Sequence, residues 1–454
     1  MVSAGEVHIE RIMTTNTQDL DVFASKGPIL ITGTRYFEKT VDIFIDEDGI
    51  ISDIGEGIAR DYAGQAEHCI AGDKTLAIPG LVNAHTHAAM TLLRGYADDM
   101  HLQQWLSEKI WPLEAHLTGD DVYWGTRLAC LEMIRTGTTA FNDMYFFMEE
   151  AAKAVDESGI RAVLSHGLIT FGSPEKFEAE VKATEKLVAH IQAMNNPRIL
   201  PAVGPHAPYT VPPEHLKWCA EYSREENIGI HIHLSETEKE VQDCKSAYGA
   251  SPAVHLDNCG CLCERTVAAH GCWLEDAECE LLAKRGAHLV HNPVSNMKLA
   301  TGRAMPYPTL RNSGVNVALG TDGCSSNNNL DLFEEMKVAA IGQKFFWNQD
   351  TLLPAQEAFS MATANGARAL NIPGGVIEQG KPADIALISL SHPSMVPLHN
   401  PVSNLVYAGC GGLVRTVLCN GKVLMLNGII PGEEEIVAGA TKTAADLLSR
   451  AEVQ

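Results

Sequence analysis

Pro79-Gly80-Leu81-Val82-Asn83-Ala84-His85-Thr86-His87 is an apolar run that follows a Pro-Gly pair and ends in two histidines one residue apart. Side chains alternate between faces along an extended chain, so His85 and His87 point the same way and both can reach one cation. An isolated H-x-H is equally well explained by two histidines satisfied in a polar corner. What decides the reading is that seven further stretches share its grammar, apolar at the start and polar at the end. The eight strand candidates are residues 76–85, 136–144, 161–168, 198–206, 228–234, 266–270, 287–292 and 315–322. They end in His85/His87, Asp143, His166, His206, His233, His270, His291/Asn292 and Asp322.

Between these strands, residues 174–194, 213–226 and 276–285 carry apolar side chains at helical spacing. Strand and helix alternating eight times predict an α/β fold, a (β/α)8 TIM-like barrel over residues 78–375. Such barrels do their chemistry at the C-terminal ends of the strands, which is where the polar residues fall. Short apolar runs between turn residues occupy both flanks: Pro28-Ile29-Leu30-Ile31 and Val41-Asp42-Ile43-Phe44-Ile45 on one side, residues 383–388, 414–418 and 423–425 on the other. They predict a small composite β-sandwich built from both chain ends, residues 1–77 and 376–430. Residues 431–454 then form a C-terminal segment with a helix over 434–449.

The chain has 454 residues, 45% hydrophobic and 20% charged, as a soluble globular protein does. Its 34 basic and 57 acidic residues give a net charge of -23, which argues against a general nucleic-acid or anionic-membrane binder and for a small-molecule partner. No apolar run approaches the roughly 18 residues of a membrane span. Residues 1–21 are polar and acidic where an export signal needs an apolar stretch, so a cytoplasmic location is expected. Twelve cysteines include the cluster Cys259, Cys261, Cys263, Cys272 and Cys279. That spacing contains no paired C-x-x-C, and reduced thiols are the expectation, with a secondary metal or redox role as the alternative.

His231 and His233 form a second H-x-H, and only one is needed to join His85 and His87. His233 lies nearer the strand's end, and Glu236 follows three residues on, a natural proton shuttle just beyond a metal; the plain alternative is a solvated carboxylate at a helix start. His231, deeper in the strand, reads as a packed or hydrogen-bonded core histidine, with a direct metal role as the alternative. His270 and Asp322 end two more strands. Imidazoles plus one carboxylate suit zinc, and iron or manganese match the same donor types. A bound metal lowers the pKa of water toward neutrality, so this is hydrolytic chemistry.

The chain resembles the amidohydrolase superfamily, and within it the 5'-methylthioadenosine/S-adenosylhomocysteine deaminases. The resemblance runs from Pro79–His87 through Gly204-Pro205-His206-Ala207-Pro208-Tyr209, His231-Ile232-His233-Leu234-Ser235-Glu236-Thr237, His291-Asn292-Pro293-Val294-Ser295-Asn296 and Gly320-Thr321-Asp322-Gly323 to Gly380-Lys381-Pro382-Ala383-Asp384. It implies that His85, His87, His233 and Asp322 hold one zinc ion. It further implies that Glu236 protonates the purine N1, that His270 orients the hydrolytic water, and that Asp322 is also a base for that water. No lysine stands near Asp143 or His166 to bridge a second metal. Glu114, a solvated loop carboxylate on sequence alone, becomes by resemblance the group that binds the ribose 2' and 3' hydroxyls. His206 becomes a nucleoside contact. Trp105 and Met90 are candidates for an apolar 5' pocket, with core packing an equal or better reading of each.

One departure bears on the substrate. Some members that use S-adenosylhomocysteine carry arginines after the third strand for its amino-acid carboxylate; here stand Ser165-His166-Gly167-Leu168 and Phe171-Gly172-Ser173-Pro174-Glu175-Lys176. A bidentate guanidinium is not simply replaced by histidine or lysine. The expectation is a homo-oligomeric deaminase of adenosines with small 5' groups, such as 5'-methylthioadenosine or 5'-deoxyadenosine, with adenosine and S-adenosylhomocysteine as further substrates. The alternatives are a relative acting on guanine, an oxidised purine or an s-triazine, and a barrel scaffold without catalysis, which should lack the ligands this chain has.

Overall fold

The computed structural model describes residues 20–100 and 102–452. All but the last two residues of the segment 1–21, on which the export-signal reading rests, lie outside the described residues, as do the start of the expected composite domain and the last two residues of the expected C-terminal segment. Five strands come first: β1 (Ile29–Tyr36), β2 (Lys39–Ile45), β3 (Ile51–Gly55), β4 (His68–Ala71) and β5 (Thr75–Pro79). A parallel sheet follows, made of β6 (Leu81–His87), β7 (Thr138–Tyr145), β8 (Arg161–Leu168), β9 (Ile199–Pro205), β10 (Gly229–Leu234), β11 (Thr266–His270), β12 (His288–His291), β13 (Val317–Leu319) and β14 (Asp322–Gly323). Strands β15 (Ile385–Ser389), β16 (Val414–Cys419) and β17 (Lys422–Met425) then rejoin the first five in a separate mixed sheet, ordered β17-β16-β15-β5-β1-β2-β3 with β4 on β1. In that sheet β15 runs antiparallel to β5, with Ala386 opposite Ile78. Ile29, Ile31, Ile43 and Ile45 from one end of the chain share a buried cluster with Ile385, Leu387 and Leu418 from the other.

Two expected strands are each divided. Residues 76–85 read as one apolar run, but Pro79-Gly80 passes the chain from the mixed sheet to the parallel one. At the passage, the Gly80 N–H donates to the Asp384 carbonyl (2.9 Å), and a Cβ on residue 80 would stand 2.1 Å from Thr139 Oγ1. Only glycine fits so close an approach. Residues 315–322 divide at Gly320-Thr321, where a Cβ on Gly320 would stand 2.6 Å from Asn292 Oδ1. Here the Asn83 side chain replaces the missing ladder: its Oδ1 accepts from the Thr321 N–H (3.0 Å) and its Nδ2 donates to Thr321 Oγ1 (2.7 Å). As a result β13 pairs with β12 while β14 pairs with β6, Asp322 lying opposite Thr86.

Helices form where both ends are marked. Pro174–Met194 begins with Ser173 Oγ accepting from the Lys176 N–H (3.2 Å) and proline at the first helical position, and stops at Asn195 in a left-handed conformation, φ 49°. Pro213–Glu225 and Asp276–Arg285 also follow the expected spans. The closing helix, Glu433–Glu452, is longer than expected, and Arg450 reaches the buried Asp121 at 2.5 Å. Arg161, at the head of β8, and Asp384 form a buried ion pair at 3.2 Å between the two sheets. Removing either partner would leave the other charge uncompensated. No helix among the described residues is long and apolar enough to cross a membrane.

Candidate active site

Five side chains singled out in the sequence meet at one end of the parallel sheet. His85 and His87 leave β6, His233 ends β10, His270 ends β11 and Asp322 opens β14. Their donor atoms fall into two overlapping groups, His85/His233/His270 and His85/His87/Asp322, each within 4.8 Å. Asp322 Oδ1 lies 3.4 Å from His85 Nε2 and 3.3 Å from His87 Nε2, and the Nε2 atoms of His87 and His233 are 3.2 Å apart. Zinc–nitrogen bonds of about 2.0–2.1 Å in a tetrahedron put neighbouring donors roughly 3.4 Å apart, which matches this spacing.

The hydrogen bonds on the far side of each ring fit a cation as well. His87 Nδ1 faces the Met144 carbonyl and His233 Nδ1 faces the His206 carbonyl, each at 2.7 Å. A carbonyl can only accept, so each Nδ1 carries a proton, and the two facing Nε2 atoms are left to share one cation, a proton or a metal ion. Two lone pairs that close repel unless a cation lies against them. The Nε2 of His85 is fully buried and has no hydrogen-bond partner of its own. Such an orphan in a dry site suits a metal ligand.

Two strand ends are bent to make this convergence. His270 (φ 76°) and Asp322 (φ 61°) both sit in the left-handed region, at about 1–2 kcal/mol each for a non-glycine residue. Asp322 is then fixed by hydroxyls: Ser295 Oγ (2.6 Å) and Ser326 Oγ (3.1 Å) donate to Oδ2. Burial disfavours its charge, but the His85 and His87 imidazoles packed against it outweigh that and hold its carboxyl well below the usual range. Asn296 Nδ2 lies 2.9 Å and Asn292 Nδ2 3.3 Å from His270 Nδ1, locking that ring.

A cavity opens over the cluster. Glu236 borders it, 3.9 Å from His270 Nδ1. Burial, then the charge of Asp322, push the Glu236 carboxyl up to about 8, so at neutral pH it holds a proton it can donate. Glu114 borders the cavity on another wall and accepts from the Tyr145 hydroxyl at 2.7 Å. Burial raises its carboxyl to about 7 against the lowering effect of that bond. His206 also borders the cavity, its Nδ1 3.1 Å from Thr210 Oγ1; burial and then the charges of the neighbouring histidines push it down to about 3, so it is neutral. Trp105 and Met90 satisfy both readings at once, being 5% and 8% exposed while lining the cavity. No arginine or lysine lines it among the described residues.

The remaining strand-end residues stand apart. Asp143 accepts from Thr86 Oγ1 (2.9 Å) and the Ala88 N–H (2.7 Å), bracing the turn after β6. His166 pairs with Glu180, and His291 lies beside Gln343. His231 is buried against His85 and is in neither donor group. The clustered cysteines are free thiols and belong to neither group. Sequence reasoning gave no role to Ser295, Ser326, Asn292, Asn296, Tyr145 or Trp111. The stretch His291–Asn296 stood out as a motif, but nothing in it says which strand end each side chain holds.

A profile of the amidohydrolase family matches residues 76–424, the whole parallel sheet and part of the mixed one. The chain belongs to the amidohydrolase family. This amidohydrolase is 66% identical to a 5'-deoxyadenosine deaminase of Methanospirillum hungatei JF-1, over 95% of this chain and 96% of that one. It is 49% identical to 5-methylthioadenosine/S-adenosylhomocysteine deaminase 1 of Archaeoglobus fulgidus, over 84% and 90%. Among solved structures, a zinc-bound adenosine deaminase from Xanthomonas campestris superposes with a TM-score of 0.86 at 35% identity, covering 93% of this chain and 98% of that one.

Proposed function

We propose that this amidohydrolase hydrolytically deaminates 5'-substituted adenosines to the inosine analogue and ammonia, with 5'-deoxyadenosine and 5'-methylthioadenosine preferred over S-adenosylhomocysteine. The observation that carries the reading is one cavity that combines a metal-type donor cluster with a protonated Glu236 beside it and Glu114 across from it. The names of the relatives support the substrate class. The absence of a cationic side chain among the described lining residues supports the small 5' group, since an amino-acid carboxylate would be desolvated there without a partner.

In this reading His85, His87, His233 and Asp322 hold a zinc ion; zinc over iron or manganese is supported by the imidazole-carboxylate donors and by the zinc-bound neighbour. Bound there, zinc supplies Lewis acidity that brings the pKa of water toward neutrality. Glu236 gives its proton to the purine N1, which makes C6 electrophilic, while Asp322 takes a proton from the attacking water and His270 orients that water. The proton held by Asp322 then passes to the C6 amino group, and ammonia leaves as the C6 hydroxyl gives its proton back to Glu236 and becomes the carbonyl. Glu114 accepts from the ribose 2' and 3' hydroxyls, and the neutral His206 contacts the nucleoside. The architecture is a closed (β/α)8 TIM-like barrel over 78–375, a composite β-sandwich from 1–77 and 376–430, and a C-terminal segment at 431–454. Support comes from the β14–β6 pairing and from Val82, Ala140, Val163, Ala202, Val267, Val290 and Ala318, one from each of seven strands, sharing a buried cluster.

The test is ammonia release from 5'-deoxyadenosine, 5'-methylthioadenosine, adenosine, S-adenosylhomocysteine and guanine, with metal content measured on the same sample. The highest kcat/KM is expected for the first two; turnover of guanine but of no nucleoside would overturn the reading. Glu114→Ala should raise KM for nucleosides by about 10- to 100-fold, because hydrogen bonds to a charged group are worth about 1.5–3 kcal/mol. With its carboxyl near 7, Glu114 is largely neutral at pH 6 and ionised at pH 8, and the ionised form is the better acceptor. KM should therefore fall as pH rises over that interval and stay flat in Glu114→Gln. An unchanged KM in Glu114→Ala would remove it from the ribose site.

A further inference from the structure

Each ring assigned to the metal through Nε2 needs its proton on Nδ1 and a partner there to keep it. For His87 and His233 that partner is a backbone carbonyl, Met144 and His206 respectively. His85 differs. Its Nδ1 lies 2.7 Å from Nε2 of His231, with the two ring planes at 88° and both residues at most 1% exposed. Two imidazole nitrogens cannot both donate in one hydrogen bond. If His85 gives its Nδ1 proton, His231 Nε2 must be the acceptor, and the proton of a neutral His231 is then on Nδ1. That nitrogen has a taker: Ser165 Oγ stands 3.5 Å away. Ser165 in turn donates to the Asp143 carbonyl at 2.9 Å, leaving its oxygen free to accept. The bonds thus run one way, from His85 through His231 to the β7 backbone.

We propose that His231 is a positioning residue: as the acceptor for His85 Nδ1–H it fixes the tautomer and plane of that ring and so sets the affinity of the metal site. The proposal rests on the assignment of His85 as a ligand. Outer partners of this kind are typically worth about 10- to 100-fold in metal affinity. A second observation supplies an independent handle. His231 also lines a separate cavity, bordered by Asn142, Arg265 and Leu370 and sharing no lining residue with the cavity over the metal cluster. A small molecule could replace the His231 ring from that side without entering the active site.

The experiment measures zinc affinity by chelator competition on metal-stripped, reloaded full-length protein, with the thermal midpoint of the stripped form as the folding control. His231→Phe keeps a flat ring but offers no acceptor, and should bind zinc about 10- to 100-fold more weakly. His231→Gln can bring an amide oxygen to the place of Nε2, and should stay within a few-fold of the parent. Equal losses in the two variants, or parental affinity in folded His231→Phe, would overturn the proposal. If His231→Phe does not fold, His231→Ala takes its place: added imidazole should restore its zinc affinity and leave the parent protein unaffected, and failure to restore would overturn the proposal equally. His85→Ala separates the two levels. If it binds zinc as tightly as the parent, the ligand assignment fails; if it loses zinc while His231→Phe does not, only the positioning role fails.

Discussion

Glu236→Gln is expected to keep its full complement of metal and to lose about 10²- to 10⁴-fold in kcat, the usual worth of a positioned acid or base. Glutamine has the same length and can keep a hydrogen bond to its surroundings, so the cavity and the histidine cluster should persist. What disappears is the proton. Burial pushes the native carboxyl up to about 8, and in the proposed reading its proton is the one the purine ring receives before water adds at C6. Asp322 is no substitute, because it is held far on the acidic side by its histidine partners and is already bound by Ser295 and Ser326. KM should change less than kcat, since the loss falls on the transition state. Steady-state kinetics with metal analysis on the same preparation provide the measurement, and near-parental turnover would sink the role given to Glu236.

His233→Ala should abolish both bound metal and turnover. The substitution would remove one imidazole of the proposed four-donor set and free the His206 carbonyl that faces it. It also leaves His87 Nε2 without its nearest neighbouring donor, 3.2 Å away. The strand itself should survive, because β10 is held by its ladder with β11 from Ile230 to Leu234. Metal stripping and reloading makes the contrast: the parent should recover activity with zinc, and the folded variant should not. A variant that retained stoichiometric metal and turnover would remove His233 from the ligand set.

The outline of the parallel sheet was legible because each strand announces its end with a polar residue and each long helix has a marked start, as at Ser173-Pro174. The divisions at Gly80 and Gly320 were not, since apolar character runs straight through both and the cause is a neighbour far along the chain, Thr139 in one case and Asn292 in the other. Strand-end position alone marked His85, His87, His233, His270 and Asp322 together with Asp143, His166 and His291, which the fold keeps out of the cluster. The supports of the cluster could not be read that way. Alternation places His231 inside the sheet, but only the folded chain brings it within 2.7 Å of a histidine 146 positions away. Tyr145 steadies Glu114 from 31 positions along the chain, and Ser295 and Asn296, adjacent on one short helix, serve different partners, Asp322 and His270. Glu114 shows the limit of composition-based reasoning: a carboxylate in a loop-like stretch looks solvated until its neighbours are known to bury it.

The pairing of β5 with β15 has a consequence for synthesis on the ribosome. Strand β5 emerges early, but one of its flanks stays open until residues 385–389 appear, because nothing before them in the chain supplies that partner. Likewise β6 waits for Asp322-Gly323. For most of translation, the nascent amidohydrolase therefore exposes unpaired backbone edges at the very junction between its two sheets, the kind of edge that invites pairing with another chain. A chain cut short before residue 385 would lack a seam of the mixed sheet rather than only a tail.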